Sequence, residues 1–320
     1  MSSITPETPA PNLERRGLRL GDVAFQGIAV AASVGATFLL GLLAYKVFEQ
    51  AWPAIEHFGI SFVWTNVWNP VTDHYGALAF IYGTVLTSLI ALVIATPLAI
   101  AIALFLTEIA PRRLAAPIAT LVELLAAIPS VVLGLWGILV FGPWIANHLE
   151  PWLQSWFGFL PMFSGDPSQV GILPAALVLT IMIVPIASAI CRELFQRTPR
   201  DLMDGAMALG STRWEAIRGV MFAYAAPGIA AAVLLGLGRA FGEAIAVTQV
   251  IGNRSDIPSS WFEAGDTLGS RIASQYQGAP TDLAVSSLLY LGAILMVISL
   301  GTNVAAQFIV RRFEKQRRAA

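Results

Sequence analysis

The sequence predicts an all-α polytopic membrane protein with six transmembrane helices. Three observations carry this reading. Of the 320 residues, 56% are hydrophobic and only 12% charged, about half the ~25% charged fraction of an ordinary soluble domain. The mean hydropathy is +0.70. Apolar runs long enough to cross a hydrocarbon layer, which takes roughly 20 residues, recur six times along the chain.

The spans are expected at 23–47, 77–107, 115–141, 171–191, 225–251 and 283–310. They make a six-span region, 23–310, between an N-terminal tail, 1–22, and a basic tail, 311–320. The first run follows Arg15, Arg16 and Arg19 in the manner of a signal peptide. Its apolar part, however, is about twice the 7–15 residues of a cleaved signal, so it reads as a retained anchor. Pro97, Pro129, Pro174, Pro185 and Pro227 predict kinks or helix ends within or near the spans.

Basic residues set the orientation, because cytoplasmic loops carry the excess of Lys and Arg. The N-terminal arginines, Arg112 and Arg113 after span two, five arginines between Arg192 and Arg218, and five basic residues from Arg311 share one side. They are 15 of the 19 in the chain. With an even number of spans, both termini are expected in the cytoplasm. The outward loops, 48–76 and 142–170, hold Trp52, Trp64, Trp68, Trp144, Trp152 and Trp156. An interfacial aromatic belt explains most of these, with short amphipathic segments on the outer surface and docking to an external partner as the other reading.

Several classes drop out. A single cysteine, Cys191, allows neither an internal disulfide nor a cysteine-based metal cluster. His57, His74 and His148 lie in loops without partners at ligand spacing, so no metal and no cofactor is expected. No nucleophile or metal constellation points to an enzyme. The only lysines, Lys46 and Lys315, do not follow a glycine, so the phosphate-cradling nucleotide loop is missing. Any ATP hydrolysis then belongs to a separate subunit. Nothing suggests nucleic acid as a partner.

The longest basic loop, "CRELFQRTPRDLMDGAMALGSTRWEAIRGVMFAYAAPG" (191–228), shows two helix starts. Thr198 precedes Pro199 as a cap before a proline at the first helical position. A short helix with one apolar side, including Leu202, Met203, Ala206 and Leu209, is broken at Gly210 and Ser211. Ser211-Thr212-Arg213-Trp214-Glu215 then starts a second helix with a polar cap and an acidic first turn. Two short helices meeting at a glycine make a projecting knob. Its apolar side either fills a groove on another protein or rests on the membrane surface.

This segment, about 198–222, resembles the coupling loop of ABC-transporter permeases, whose pattern is Glu-Ala-Ala, three residues, Gly, nine residues, Ile, one residue, Leu-Pro. Here Asp204, Gly205, Ala206 and Gly210 stand at the matching offsets, with Val220 and Phe222 at the later apolar positions. Asp204, Gly205 and Ala223 depart from the pattern. "FIYGTVLTS" (80–88), "ELLAAIPSVVLGLWG" (123–137) and "GLGRAFGEAIAV" (236–247) resemble the phosphate-specific members. The outer loop "GISFVWTNVWNP" (59–70) is more similar to the PstC-like subunit than to PstA. The resemblance, over residues 20–312, implies a type I importer permease for phosphate. It implies as partners a PstA-like second permease, two PstB-like ATPase subunits and an external PstS-like phosphate-binding protein. The ATPase would meet Asp204, Gly205, Ala206, Leu209, Gly210 and Trp214.

Arg239 and Glu243 are the conspicuous charges of span five. An arginine at mid-membrane costs about 2.5–3.5 kcal/mol on insertion scales, so it must face a bundle interior, a partner or water. At i and i+4 the two share a helix face. Gly238 and Gly242 form a G-x-x-x-G pair suited to close helix approach. Either the pair neutralises itself and locks packing, or Arg239 receives an anion along the seam while Glu243 holds the guanidinium. A planar fork of donors suits a tetrahedral oxyanion, and the resemblance to phosphate permeases favours the second reading. Glu123, read as a buried acid of span three, has a structural or a pathway role. Thr84, Thr87, Ser88 and Ser130 either donate to an anion or bond their own helix backbones. The competing classes are a sulfate, molybdate or other oxyanion ABC permease, and a secondary transporter, which usually buries more ion-coupling carboxylates.

Overall fold

The structure, a computed structural model, describes residues 20–319. The arginines of the expected N-terminal tail, Arg15, Arg16 and Arg19, lie outside the described residues. Helix α1 (Leu20–Phe58) opens the chain, which divides into two compact units after Glu49. In the first unit, Ser33 and Thr37 donate their hydroxyls to the carbonyls of Ala29 and Ser33, four residues back. Polar side chains in an apolar helix are satisfied by that helix itself.

The second unit contains a short antiparallel pair, β1 (Trp68–Asn69) and β2 (His74–Tyr75), and then helices throughout. Helix α2 (Leu78–Leu104) continues through a π-helical turn, Phe105–Ile109. Helix α3 (Arg112–Ala126) precedes α4 (Ser130–Trp136), α5 (Gly142–Trp144) and α6 (Glu150–Phe157), the last three joined by π-turns. Helix α7 is Ile172–Gln196; α8 (Arg200–Ala208) and α9 (Arg213–Ala216) make the projecting loop. A π-turn, Ile217–Met221, joins α9 to α10 (Phe222–Gly242). Then come α11 (Ile245–Val250), α12 (Leu268–Gln275) and α13 (Asp282–Ala319). Six stretches are long and apolar enough to cross a membrane: Ala24–Val63, Leu78–Ile109, Ser130–Phe157, Ile172–Gln196, Arg213–Gly242 and Asp282–Ala305.

Three expected spans need correction. The first does not end at 47: α1 runs on to Phe58, through the start of the stretch read as outer loop. The third is not 115–141 but 130–157. Pro129 cannot donate a helical N–H and disfavours α geometry in the residue before it, so α3 ends at Ala126 and a new helix starts at Ser130. The region 142–157, read as outer loop, is therefore largely helical. The fifth span is not continuous to 251, because Glu243 adopts an extended conformation, with ψ 116°, and ends α10. Thr198 does not cap α8 either: Pro199 is the N-cap, and the Thr198 hydroxyl is directed at the Leu194 carbonyl. The second cap is present, with Thr212 Oγ1 accepting from Glu215 N–H and the Glu215 carboxylate from Thr212 N–H.

One packing stripe organises the unit. Gly83, Thr87, Ala91, Ala95, Ala99 and Ala103 recur every fourth residue of α2 and are all buried, whereas Leu89, Val93 and Leu98 face outward. The stripe meets Ala175, Ala176, Leu179, Ile183 and Ala187 of α7. Between helices in lipid, small residues bring backbones into close contact. Around one end of α2 lie Ala103, Phe195, Met203, Ile217 and Met221. Around the other lie Phe62, Tyr75, Phe80, Leu268 and Leu288.

At that second end the 252–281 loop is pinned by a buried ion pair. Arg271 Nε stands 2.7 Å from Asp266 Oδ2, with side chains 3% and 0% exposed. Arg271 also donates to the Asn253 carbonyl and the Ser255 hydroxyl, and its guanidinium lies 4.6 Å from the Phe80 ring centre. Burial pushes the Asp266 carboxyl up to about 6, against the opposing pull of Arg271. Such a pair specifies geometry more than it stabilises, but removing one partner strands the other. Arg271→Leu should therefore destabilise the protein by about 3–5 kcal/mol, and Asp266→Asn combined with Arg271→Gln by less, as measured by thermal unfolding in detergent.

Candidate functional site

The break after Gly242 builds the candidate site. Arg239 lies in the last turn of α10, and Glu243 is the residue that ends it. Their charged groups stay together, Arg239 Nη2 to Glu243 Oε2 being 3.9 Å, a Coulombic contact longer than a hydrogen bond. The Glu243 side chain is 9% exposed, and its Oε1 accepts the N–H of Ala246 at 3.2 Å, satisfying a donor in the first turn of α11. The Arg239 side chain is 41% exposed. It borders a cavity of about 470 Å³ between Ile183 and Ile186 of α7, Leu235, Gly236, Gly238 and Gly242 of α10, and Ser299 and Asn303 of α13. The guanidinium is thus held at one edge by a carboxylate and open at the other toward a polar-edged cavity. It can present donors to an anion without losing its counter-charge.

The glycines divide the work differently from the expected G-x-x-x-G seam. A Cβ on Gly236 would come 2.9 Å from Ile183 Cγ2, so this glycine seats α10 against α7. Gly238 and Gly242 have nothing within 4 Å and open onto the cavity instead. Gly134 does the corresponding service for the other broken helix. Its Cβ would lie 2.8 Å from the Ala246 Cα, and Gln249 donates to the Val131 carbonyl. The segments beyond the two breaks, α4 and α11, are therefore packed on each other.

The remaining sequence-predicted residues are placed elsewhere. Thr84 and Thr87 donate to the carbonyls of Phe80 and Gly83 within α2, and Thr84 also accepts the Leu268 N–H. Ser88 is buried beside that stripe. These three serve the α2 packing face, and none borders the Arg239 cavity. Ser130 is the first residue of α4 and half-buried. Glu123 is not a buried acid: it is exposed on α3, an amphipathic helix preceding the third span, and ion-paired with Arg192 at the end of α7. In the α8–α9 loop, Met203 and Ala206 pack inward, while Asp204, Gly205 and Trp214 are exposed. Gly210 has φ +94°, a left-handed turn that glycine adopts freely, and it leaves Leu209 92% exposed at the tip. Among the described residues no three His, Cys, Asp or Glu side chains are grouped as a metal site.

Residues 95–315 match the family described as binding-protein-dependent transport system inner membrane component. The phosphate transport system permease protein PstC of Mesorhizobium japonicum is 41% identical, over 98% of this chain and 98% of its own length. The PstC of Pasteurella multocida is 43% identical, over 87% of this chain and 88% of its own. A probable PstC from Methanocaldococcus jannaschii is 35% identical over 91% and 94%. Among solved structures, a chain of a bacterial alginate ABC transporter aligns with a TM-score of 0.59 at 18% identity, covering 92% of this chain and 99% of that one. One of the MetNI methionine ABC transporter, inward-facing, aligns with a TM-score of 0.52 at 19% identity, covering 74% and 94%. At these identities the structures bear on the fold alone.

The glycine geometry has a direct check in thermal unfolding in detergent. Gly238→Ala should stabilise α10 by up to about 1 kcal/mol, the helix propensity difference. Gly134→Ala should destabilise by about 1–3 kcal/mol through overpacking against α11. Shifts of the same sign would contradict the assignment of open and seated glycines.

Proposed function

The chain belongs to the binding-protein-dependent transport system inner membrane component family, and on that premise we propose that it is the permease subunit of an ATP-driven importer, forming with a second permease the membrane pathway for inorganic phosphate. The observation that carries the cargo assignment is Arg239, half-exposed on a cavity between α7, α10 and α13 and held by Glu243. The full-length similarity to PstC proteins supports the same reading.

The partners follow from the chemistry the chain lacks. Its sequence has no nucleotide loop, so ATP hydrolysis belongs to two PstB-like subunits meeting the α8–α9 loop, where Leu209 and Trp214 stand exposed. A PstA-like permease completes the pathway beside the Arg239 cavity, and a PstS-like protein delivers phosphate from outside. The distribution of basic residues supports a topology with both termini and the α8–α9 loop on the cytoplasmic side of a bacterial membrane. A broken helix such as that at Glu243 is also a transporter feature in secondary carriers. The family membership makes this an ABC importer subunit.

Glu243 has a specific part in this scheme. A bare guanidinium holds a phosphate dianion firmly, whereas a carboxylate 3.9 Å away competes for the same donors and favours release.

The test is phosphate uptake by the assembled transporter in proteoliposomes. Arg239→Ala should lower uptake roughly 10–100-fold, as expected for loss of a charge-assisted hydrogen bond of about 1.5–3 kcal/mol, with less loss in Arg239→Lys. Excess sulfate should not compete. Undiminished uptake by Arg239→Ala would end the pathway reading, and full competition by sulfate would favour a broader oxyanion permease. Glu243→Gln should slow phosphate release while strengthening its retention; lowered uptake with unchanged or weaker retention would refute the competition.

A further inference from the structure

Glu108 has no part in the site above. It sits in the π-helical turn that ends the second span, with its side chain 3% exposed. Two arginines converge on it. Arg213 Nη2 donates to the Glu108 backbone carbonyl at 2.6 Å and to its carboxylate Oε2 at 3.1 Å. Arg200 Nη1 lies 3.8 Å from the other oxygen, Oε1, which has no hydrogen-bond partner among the described residues. Arg200 is the first residue of α8 and Arg213 the first of α9. Both helices of the projecting loop therefore begin on the same buried carboxylate.

This arrangement differs from a surface ion pair, which contributes little because water replaces either partner. Here the guanidiniums are exposed but the carboxylate is not. If the loop lifted away, the arginines would find water while Glu108 would be left buried and unpaired, a strongly unfavourable state. Arg213 also neutralises an unsatisfied carbonyl and the negative dipole end where the second span stops. The loop is thus fastened to that helix end.

Arg213 begins a second connection. From it the helix continues through the Ile217–Met221 π-turn and α10 to Gly242. Those 30 residues span about 45 Å at 1.5 Å each, with the Glu108 contact at one end and Arg239 in the last turn at the other.

We propose that Glu108 is a positioning residue that, through Arg200 and Arg213, clamps the α8–α9 loop to the end of the second span, so that a push on the loop is carried along α10 to the Arg239 cavity. The inference rests on the reading of the loop as the ATPase contact. Without the clamp the loop yields to the push and the helices above it do not follow.

Two measurements on Glu108→Gln and Arg213→Gln test this. In the purified chain, hydrogen exchange at the amides of residues 200–221 should quicken about tenfold in both variants while that of α7 is unchanged. In the reconstituted transporter, phosphate imported per ATP hydrolysed should fall about fivefold or more, a typical size for coupling between sites. Since Arg213 is exposed, its variant decides alone if Glu108→Gln does not assemble. Native exchange in Arg213→Gln would overturn the clamp. Faster exchange with an unchanged phosphate-to-ATP ratio would also overturn it, as a merely structural contact. Arg239→Ala, with the clamp intact, should show native exchange and lost uptake. If it transports normally, the phosphate-pathway reading fails while the exchange result still judges the clamp.

Discussion

Close approach of α2 and α7 is the constraint on which the second unit depends. Lipid tails solvate leucine as well as a neighbouring helix does, so apolarity alone gives two spans no reason to associate. What remains is contact, and contact over several turns needs small residues in register. The stripe from Gly83 to Ala103 supplies it, and α7 answers with Ala175, Ala176 and Ala187. The consequences reach beyond the seam. Gly83 has no room for a side chain because the Asp266 carbonyl would lie 1.9 Å from its Cβ, so the stripe also seats the loop pinned by Arg271. Gly236 then places α10 on the far side of Ile183, which sets the wall of the cavity.

Much of this was legible in the chain, for physical reasons that also explain the omissions. Long apolar runs announce spans because a hydrocarbon layer tolerates little else. Arg239 and Glu243 stood out because charge inside such a run is costly unless it has a task. Gly210 and the polar stretch from Ser211 to Glu215 marked the turn and helix start in the projecting loop through local backbone chemistry alone. Apolar content is a poor guide to continuity, however: 115–141 is greasy throughout, yet Pro129 divides it, and the proline was the available signal. The break at Glu243 had no comparable marker, since an acidic residue ends a helix only when its carboxylate has somewhere better to go, here the Ala246 N–H.

The hydroxyls of α2 show the opposite difficulty. Read as a list, Thr84, Thr87 and Ser88 suit an anion and their own helix backbone equally; in the fold they are buried on or beside the small-residue stripe, and Thr84 and Thr87 bond α2 carbonyls. Glu108, Asp266 and Arg271 escaped notice because charges at span ends and in loops are ordinary. Only the fold reveals that these are buried. Sequence reading finds charge that is out of place along the chain, and not charge that becomes out of place once distant segments meet.

The interruption between Gly242 and Ile245 has a mechanical implication. Arg239 is carried by the long helix, whereas Glu243 is tied by its hydrogen bond to the short one that follows, which is itself wedged against α4. The positive and negative ends of the pair thus belong to separate helices joined by a short non-helical link. A few degrees of tilt in one segment alone would stretch or shorten their separation, and with it the charge balance at the guanidinium. A single unbroken rod would have frozen that distance; the joint turns it into an adjustable quantity.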